Sequence, residues 1–192
     1  MFFSLERDQT LGDESDPFFL FSGGNMMSRP TWTEYFISIV DATALRASCN
    51  RGKSGAIIVS ADNRILSGGY VGNASGAKHC DDIGHTFRYI IEQDEHRKEI
   101  LHEGFHCIST VHAEANAICN SAKKGISIDN SIMFCTMVPC FVCAKLIIQS
   151  GIKRVVAKYD YHHSEQTKKI FEELRIELVI LNDEECYDSN EV

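Results

Sequence analysis

The chain has 192 residues, 44% of them hydrophobic, and a formal net charge of −8. That length suits one domain with a well-formed core. The negative balance argues against a protein built to grip a nucleic-acid backbone, which needs a basic face, and it leaves room for a local basic pocket around a single phosphate.

Residues 1–28 differ in character from the rest of the chain. Acidic Asp8, Asp13, Glu14 and Asp16 lead into Gly23 and Gly24 with no sustained helical period, which reads as an extension outside the folded domain. A flexible tail is the expected reading; the alternative is that its apolar run, Phe18 to Phe21, docks on a partner surface, and Met27 could be a second start site. The opening MFFSLERDQT carries Glu6 and Asp8 where a secretory leader would be apolar, and no stretch approaches the ~20 apolar residues that span a bilayer. The expected location is the cytoplasm.

From Thr31 or Thr33 to about Ser48, a hydroxyl cap precedes Trp32, Phe36, Ile39, Val40 and Leu45 at helical spacing. Gly55–Val59 and Arg64–Gly68 flank an Asp62-Asn63 turn and predict a hairpin. The glycine-rich run 68–76 reads as loop, since glycine weakens strands. Residues 81–106 are polar with little period and read as an excursion over the surface. Ala113–Lys124 predicts a helix stopped by Gly125. Ser131–Thr136 is a strand, and Pro139 opens a helix running to Ser150 with Gly151 as its stop. A strand over 154–157, a helix over 165–174 and a strand over 177–181 complete the order. Five strands of this kind, a hairpin followed by alternating helices, imply an α/β fold with a mixed sheet and helices on both faces. The domain is expected over 29–182, with an acidic tail over 183–192.

The chain has eight cysteines, at 49, 80, 107, 119, 135, 140, 143 and 186. Uneven spacing in a chain without a leader favours metal ligation or free thiols over disulfides. Two motifs stand out. His112-Ala113-Glu114 opens one predicted helix, and Pro139-Cys140-Phe141-Val142-Cys143 opens another. Cys140 and Cys143, three apart, share one helical face, and a helix N-terminus favours thiolate over thiol. His112, Cys140 and Cys143 make three zinc ligands and leave a fourth position for water, the arrangement of a catalytic rather than a structural zinc. Glu114 lies off the face of His112 and can serve instead as a general acid and base for that water. H-x-E together with P-C-x-x-C is the signature of zinc deaminases of nucleobases. A lone C-x-x-C is often a structural clip or a redox pair, but either reading leaves His112 and Glu114 without a role.

Beyond these motifs, RPTWTEYF (29–36), CNRGKSGAIIV (49–59), RILSGGYVG (64–72), HC (79–80), HCISTVHAEANAI (106–118), TMVPCFVCAK (136–145) and SGIKRVV (150–156) carry a wider likeness. Over about 29–181 the chain resembles the deoxycytidylate deaminases. The resemblance implies a three-layer α/β/α cytidine-deaminase fold with a central mixed five-stranded sheet. It also implies hydrolysis of dCMP to dUMP and ammonia, and a homohexamer activated by dCTP and inhibited by dTTP. Position by position, it makes His112, Cys140 and Cys143 the zinc ligands and Glu114 the proton shuttle. It assigns Arg51 to the nucleotide phosphate, and Ala113 and Tyr161 to the substrate site. The alternatives are a solvated loop charge for Arg51 and ordinary packing for Tyr161.

In this family an asparagine usually stands where this chain has Val71, in Gly69-Tyr70-Val71-Gly72. Asn73 could take over its contact with the nucleotide. Otherwise the substrate is another pyrimidine nucleotide, such as dCTP, CMP or a base-modified dCMP. A more distant alternative is a non-catalytic, nucleotide-sensing zinc protein. Some relatives also hold a second, structural zinc through cysteines at the end of the first helix and after the glycine loop, where this chain has Cys49 and Cys80; His106, with Cys107 or His102 as the fourth ligand, could complete a tetrahedral set. The competing reading is a set of reduced, partly buried thiols. Cys119 and Cys135 read as core residues, and His85, His162 and His163 as surface histidines.

Overall fold

The computed structural model describes residues 29–93 and 99–185. The expectations for residues 1–28, for Cys186 and for the end of the acidic tail therefore lie outside the described residues. In chain order the elements are α1 (Trp32–Ala44), β1 (Gly55–Val59), β2 (Ile65–Tyr70), β3 (Gly72–Asn73), α2 (Cys80–Ile83), β4 (Phe87–Gln93), β5 (Glu99–Cys107), β6 (Thr110–Val111), α3 (Ala113–Lys124), β7 (Ile132–Met137), α4 (Phe141–Gln149), β8 (Arg154–Asp160), α5 (Glu165–Glu173) and β9 (Glu177–Glu185).

Five strands form one mixed sheet in the order β2-β1-β7-β8-β9. The β1 strand is antiparallel to both β2 and β7, whereas β7, β8 and β9 run parallel. Every residue of β1 is buried, as a strand covered on both faces requires. On one face, Phe36 and Val40 of α1 pack with Ile57, Val59, Phe134 and Val156. On the other, Ala113 and Ala117 of α3, Ala144 and Ile147 of α4 and Phe171 of α5 pack with Ala56, Ile58, Met133 and Val155. Alternate residues of the central strands thus feed opposite layers, as the two-residue period of a strand dictates.

Several boundaries differ from expectation. Helix α1 ends at Ala44, because Ser48 turns away to donate its backbone N–H to the Val71 carbonyl at 3.2 Å. Part of the glycine run expected to be loop is strand. The β2 strand continues through Gly68 and Gly69 to Tyr70, and Gly72–Asn73 pairs with Thr110–Val111. Gly69 is required by close packing, since a Cβ there would sit 2.5 Å from the Ala113 carbonyl oxygen and 2.8 Å from the carbonyl carbon of Asn116. The segment expected to be an irregular excursion contains α2 and the antiparallel β4–β5 pair. The predicted stops of α3 and α4 hold, with Gly125 at φ 65° and Gly151 at φ 84°. The last strand runs to Glu185, past the boundary expected at 182.

Helix α3 is held against β2 by its own side chains. Asn116 donates to the Tyr70 carbonyl at 2.7 Å and Asn120 to the Gly68 carbonyl at 2.8 Å. In return Ser67 donates its hydroxyl to the Ala117 carbonyl at 2.7 Å. These bonds and the missing Cβ at Gly69 fix where the N-terminus of α3 lies.

Candidate active site and second metal centre

His112 is the N-cap of α3 and Cys140 the N-cap of α4, both in extended conformation. An N-cap side chain ordinarily bonds its own helix. Neither of these does; each turns to the other instead. His112 Nδ1 lies 3.5 Å from Cys140 Sγ and 3.5 Å from Cys143 Sγ, and the three ligand atoms all fall within 4.8 Å of one another. Tetrahedral zinc, with bonds of about 2.3 Å to sulfur and 2.0–2.1 Å to nitrogen, sets neighbouring S and N ligands about 3.6 Å apart. The donor set and its spacing therefore fit a zinc ion held by His112, Cys140 and Cys143. Cys143 is buried and His112 is exposed, so the centre opens to solvent on the histidine side.

Glu114 is 7% exposed, and burial pushes its carboxyl above the ordinary carboxylate range, with the Cys143 thiol acting in the opposite sense. The Cys143 hydrogen bond, aided by His112, lowers the Cys140 thiol to about 3, while the same bond and burial raise Cys143. The Cys140 contact raises His112. Only Cys140 is thereby held as a thiolate; Cys143 and His112 hold their protons, which a bound metal would displace, since metal ligands must be deprotonated. The buried acid sits directly against this cluster.

Tyr161, just past β8, is half-buried and packs on the core below the site. Burial, and then the charge of Cys140, raise its phenol. The turn that carries it is clamped by Asp160, which accepts from the Tyr161 N–H (2.7 Å), the Ser164 hydroxyl (2.8 Å) and the Lys168 ammonium (2.7 Å). The side chain of Ala113 is buried in the core. Arg51 lies in the turn before β1, and that turn is joined to the β2–β3 junction by the bond from Val71 N–H to the Ser54 carbonyl at 2.9 Å. The β3 strand pairs with β6, which leads into His112.

A second cluster is formed by residues that flank these turns. Cys49, Cys80, His85 and Cys107 bring four ligand atoms within 4.8 Å of one another. Cys49 Sγ is 3.6 Å from His85 Nδ1, and Cys80 Sγ is 3.5 Å from Cys107 Sγ. The opposite nitrogen of His85 lies 2.9 Å from the Asn50 side-chain oxygen, the outer partner that fixes the tautomer of a metal-bound histidine. Three thiols and an imidazole are a donor set that could hold a metal ion, and four protein ligands would suit a structural zinc.

Of the sequence candidates, Cys49, Cys80 and Cys107 meet here. The histidine that joins them is His85, expected from the sequence to be a surface residue. The side chains of His102 and His106 lie outside the described residues. The side-chain amide of Asn73 faces this cluster, accepting from the Cys80 thiol at 2.9 Å and donating to the Lys78 carbonyl at 2.6 Å. Cys135 is core as expected, but Cys119 is exposed. The buried positions of α3 are 113, 114, 117 and 121, and 119 projects from the opposite side of that helix.

Comparison with known proteins agrees with this geometry. The profile of the cytidine and deoxycytidylate deaminase zinc-binding region matches residues 30–159. ComE operon protein 2 of Bacillus subtilis (strain 168) is 37% identical over 147 residues, covering 77% of this chain and 69% of its own. The deoxycytidylate deaminase of Mycobacterium phage D29 is 35% identical over 130 residues, covering 68% of this chain and 96% of its own. Among solved structures, the dCMP deaminase of cyanophage S-TIM5 in complex with dCMP and dUMP superimposes with a TM-score of 0.61. It is 28% identical, and the match covers 80% of this chain and 98% of that one. The chain belongs to the cytidine and deoxycytidylate deaminase family.

Proposed function

We propose that this protein hydrolyses dCMP to dUMP and ammonia. The observation that carries the reading is the buried Glu114 carboxyl set against the His112–Cys140–Cys143 cluster at the joined N-termini of α3 and α4. Zinc in that cluster would supply a Lewis acid that makes water nucleophilic near neutral pH. Glu114 takes the proton from the attacking water and passes it to N3 of the cytosine ring. Oxygen bonds to C4, the Glu114 carboxylate takes the remaining proton of that hydroxyl and hands it to the 4-amino group, and the C4–N bond breaks as the C4 carbonyl forms, so that one water enters and one ammonia leaves. Tyr161, held by Asp160, lines the site beside Cys140, and the backbone of Ala113, between His112 and Glu114, forms part of its floor. Arg51 binds the 5′-phosphate, because a guanidinium can bind a phosphate bidentately. With the amide of Asn73 turned to Cys80 and Lys78, we assign Asn73 to the link between the two clusters and leave nucleotide selection to Arg51 and Tyr161.

Cys49, Cys80, His85 and Cys107 hold a second, structural zinc in this reading. Thiolates in both centres call for a reducing compartment, the cytoplasm; no helix among the described residues is long and apolar enough to cross a membrane. The catalytic domain is the segment 29–185, closed by the end of β9, with 1–28 and 186–192 outside it. The assembly is a homo-oligomer, supported by exposed Trp32 and Tyr35 on α1 and by Val142 and Leu146 on α4. A hexamer that responds to dCTP and dTTP is the form that the family resemblance suggests.

The test is ammonia release from dCMP, dCTP, CMP, 5-methyl-dCMP and deoxycytidine, each with and without dCTP or dTTP as effector. The expected result is a kcat/KM for dCMP that exceeds every other by at least tenfold. Preference for another of these nucleotides would move the assignment to that substrate, and turnover of none of them would overturn it.

A further inference from the structure

We propose that Phe87 is a positioning residue for the phosphate arm, its ring holding the Arg51 guanidinium where the nucleotide phosphate arrives. The inference rests on the reading of Arg51 as the phosphate ligand. The centre of the guanidinium lies 4.9 Å from the centroid of the Phe87 ring, within the range of an attractive cation–π contact. Such a contact restrains the arm through its charge and consumes none of the N–H donors that a phosphate needs. An arginine that is already restrained loses less freedom on binding, so the contact is felt in affinity and not in the chemical step.

Phe87 can do this because its own position is fixed. It opens β4, where its backbone pairs with Cys107, and one residue earlier the Thr86 carbonyl accepts from the Ile108 N–H at 2.8 Å. Its ring lies 5.9 Å from that of His85. His85 in turn meets Cys49 through Nδ1 and Asn50 through the other nitrogen. Successive residues 49, 50 and 51 are therefore each met by the short segment 85–87. Two of the second cluster's four residues, Cys49 and Cys107, anchor the two sides of that contact. The cluster thus acts as a footing for the substrate arm.

The experiment measures KM and kcat for dCMP and deoxycytidine, and the Kd of dUMP by calorimetry, in Phe87→Leu, Phe87→Tyr, Arg51→Ala and Arg51→Ala/Phe87→Leu. Phe87→Leu should raise the KM for dCMP and the Kd of dUMP about three- to tenfold, the scale of a partly desolvated cation–π contact. Its kcat should stay within about twofold and its KM for deoxycytidine should not move. Phe87→Tyr should restore the wild-type values. In the Arg51→Ala background, Phe87→Leu should add nothing. If leucine at 87 impairs folding, mono-, di- and trifluorophenylalanine at that position keep the shape while weakening the ring's negative face, and KM should climb with each fluorine. An unchanged dUMP Kd in Phe87→Leu or across the fluorinated series, with Arg51→Ala defective, overturns the proposal alone. An Arg51→Ala protein that binds dUMP normally overturns the phosphate reading beneath it.

Discussion

Replacing Gly69 by alanine probes the contact that places the active site. The added Cβ would meet the Ala113 carbonyl oxygen at 2.5 Å and the Asn116 carbonyl carbon at 2.8 Å, where ordinary contact begins at 3.4 Å. Both atoms belong to backbone, so no side-chain rotation relieves the clash, and α3 must retreat from β2 by about 1 Å. Overpacking of this kind costs about 1–3 kcal/mol. Reduced freedom of the unfolded chain offsets about 0.4–1 kcal/mol of that, leaving a net loss of about 1–2 kcal/mol. The retreat carries with it His112 and Glu114, which sit at the near end of α3, and a 1 Å misplacement of catalytic groups costs on the order of a hundredfold in rate. Urea denaturation should therefore show a lower midpoint at unchanged slope, and kcat for dCMP should fall far more than the stability loss alone would imply. A Gly69→Ala protein with wild-type stability and turnover would refute the claim that this close approach positions the site.

Cys143→Ser should abolish turnover and lower the bound zinc by one equivalent per chain while the second centre keeps its metal, as read by zinc analysis on the purified protein. Cys107→Ser should do the reverse to the zinc count, and it should lower the thermal midpoint by several degrees, because a structural metal contributes to folding directly. For Asp160, burial favours the neutral carboxyl, but Lys168, the Tyr161 N–H and Ser164 outweigh it and hold the group below the ordinary carboxylate range. A group depressed in the folded state stabilises fully above its unfolded value, about 3.9, and that stability is lost as pH falls through the folded value. Asp160→Asn should therefore cost about 1–2 kcal/mol at pH 7 and nothing at the acid end, where denaturation curves of the two proteins should converge. A constant difference from pH 7 down to pH 2 would contradict this assignment.

The layered sheet and the meeting of His112, Cys140 and Cys143 were legible because local signals set them. Cysteines three apart after a proline, and a histidine ahead of an apolar run, each mark a helix start, and the ends of two neighbouring helices need only one shared sheet to meet. Gly69 misled because glycine weakens a strand unless something must approach it closely, and the approaching backbone belongs to α3, more than forty residues later in the chain. His85 was hidden for a related reason. Nothing near it in sequence marks it as a ligand, and it reaches the thiols through the pairing of Phe87 with Cys107 across the β4–β5 ribbon. That ribbon did leave a trace in Phe87, Tyr89, Ile90 and Ile91, residue types that favour strands. The acidic neighbours at 92, 94 and 95 obscured it. Cys119 could have been placed correctly, since Ala113, Ala117 and Ser121 already define the buried side of its helix at four-residue intervals.

The central claim is that Glu114 moves protons for a water attacking dCMP at the His112–Cys140–Cys143 centre. Its most direct test is the rate of dUMP formation by Glu114→Gln protein whose zinc content has been measured. Two zinc ions per chain are expected in both wild type and variant, with turnover in the variant lower by on the order of a thousandfold or more. A zinc-replete Glu114→Gln enzyme that forms dUMP at the wild-type rate would contradict it.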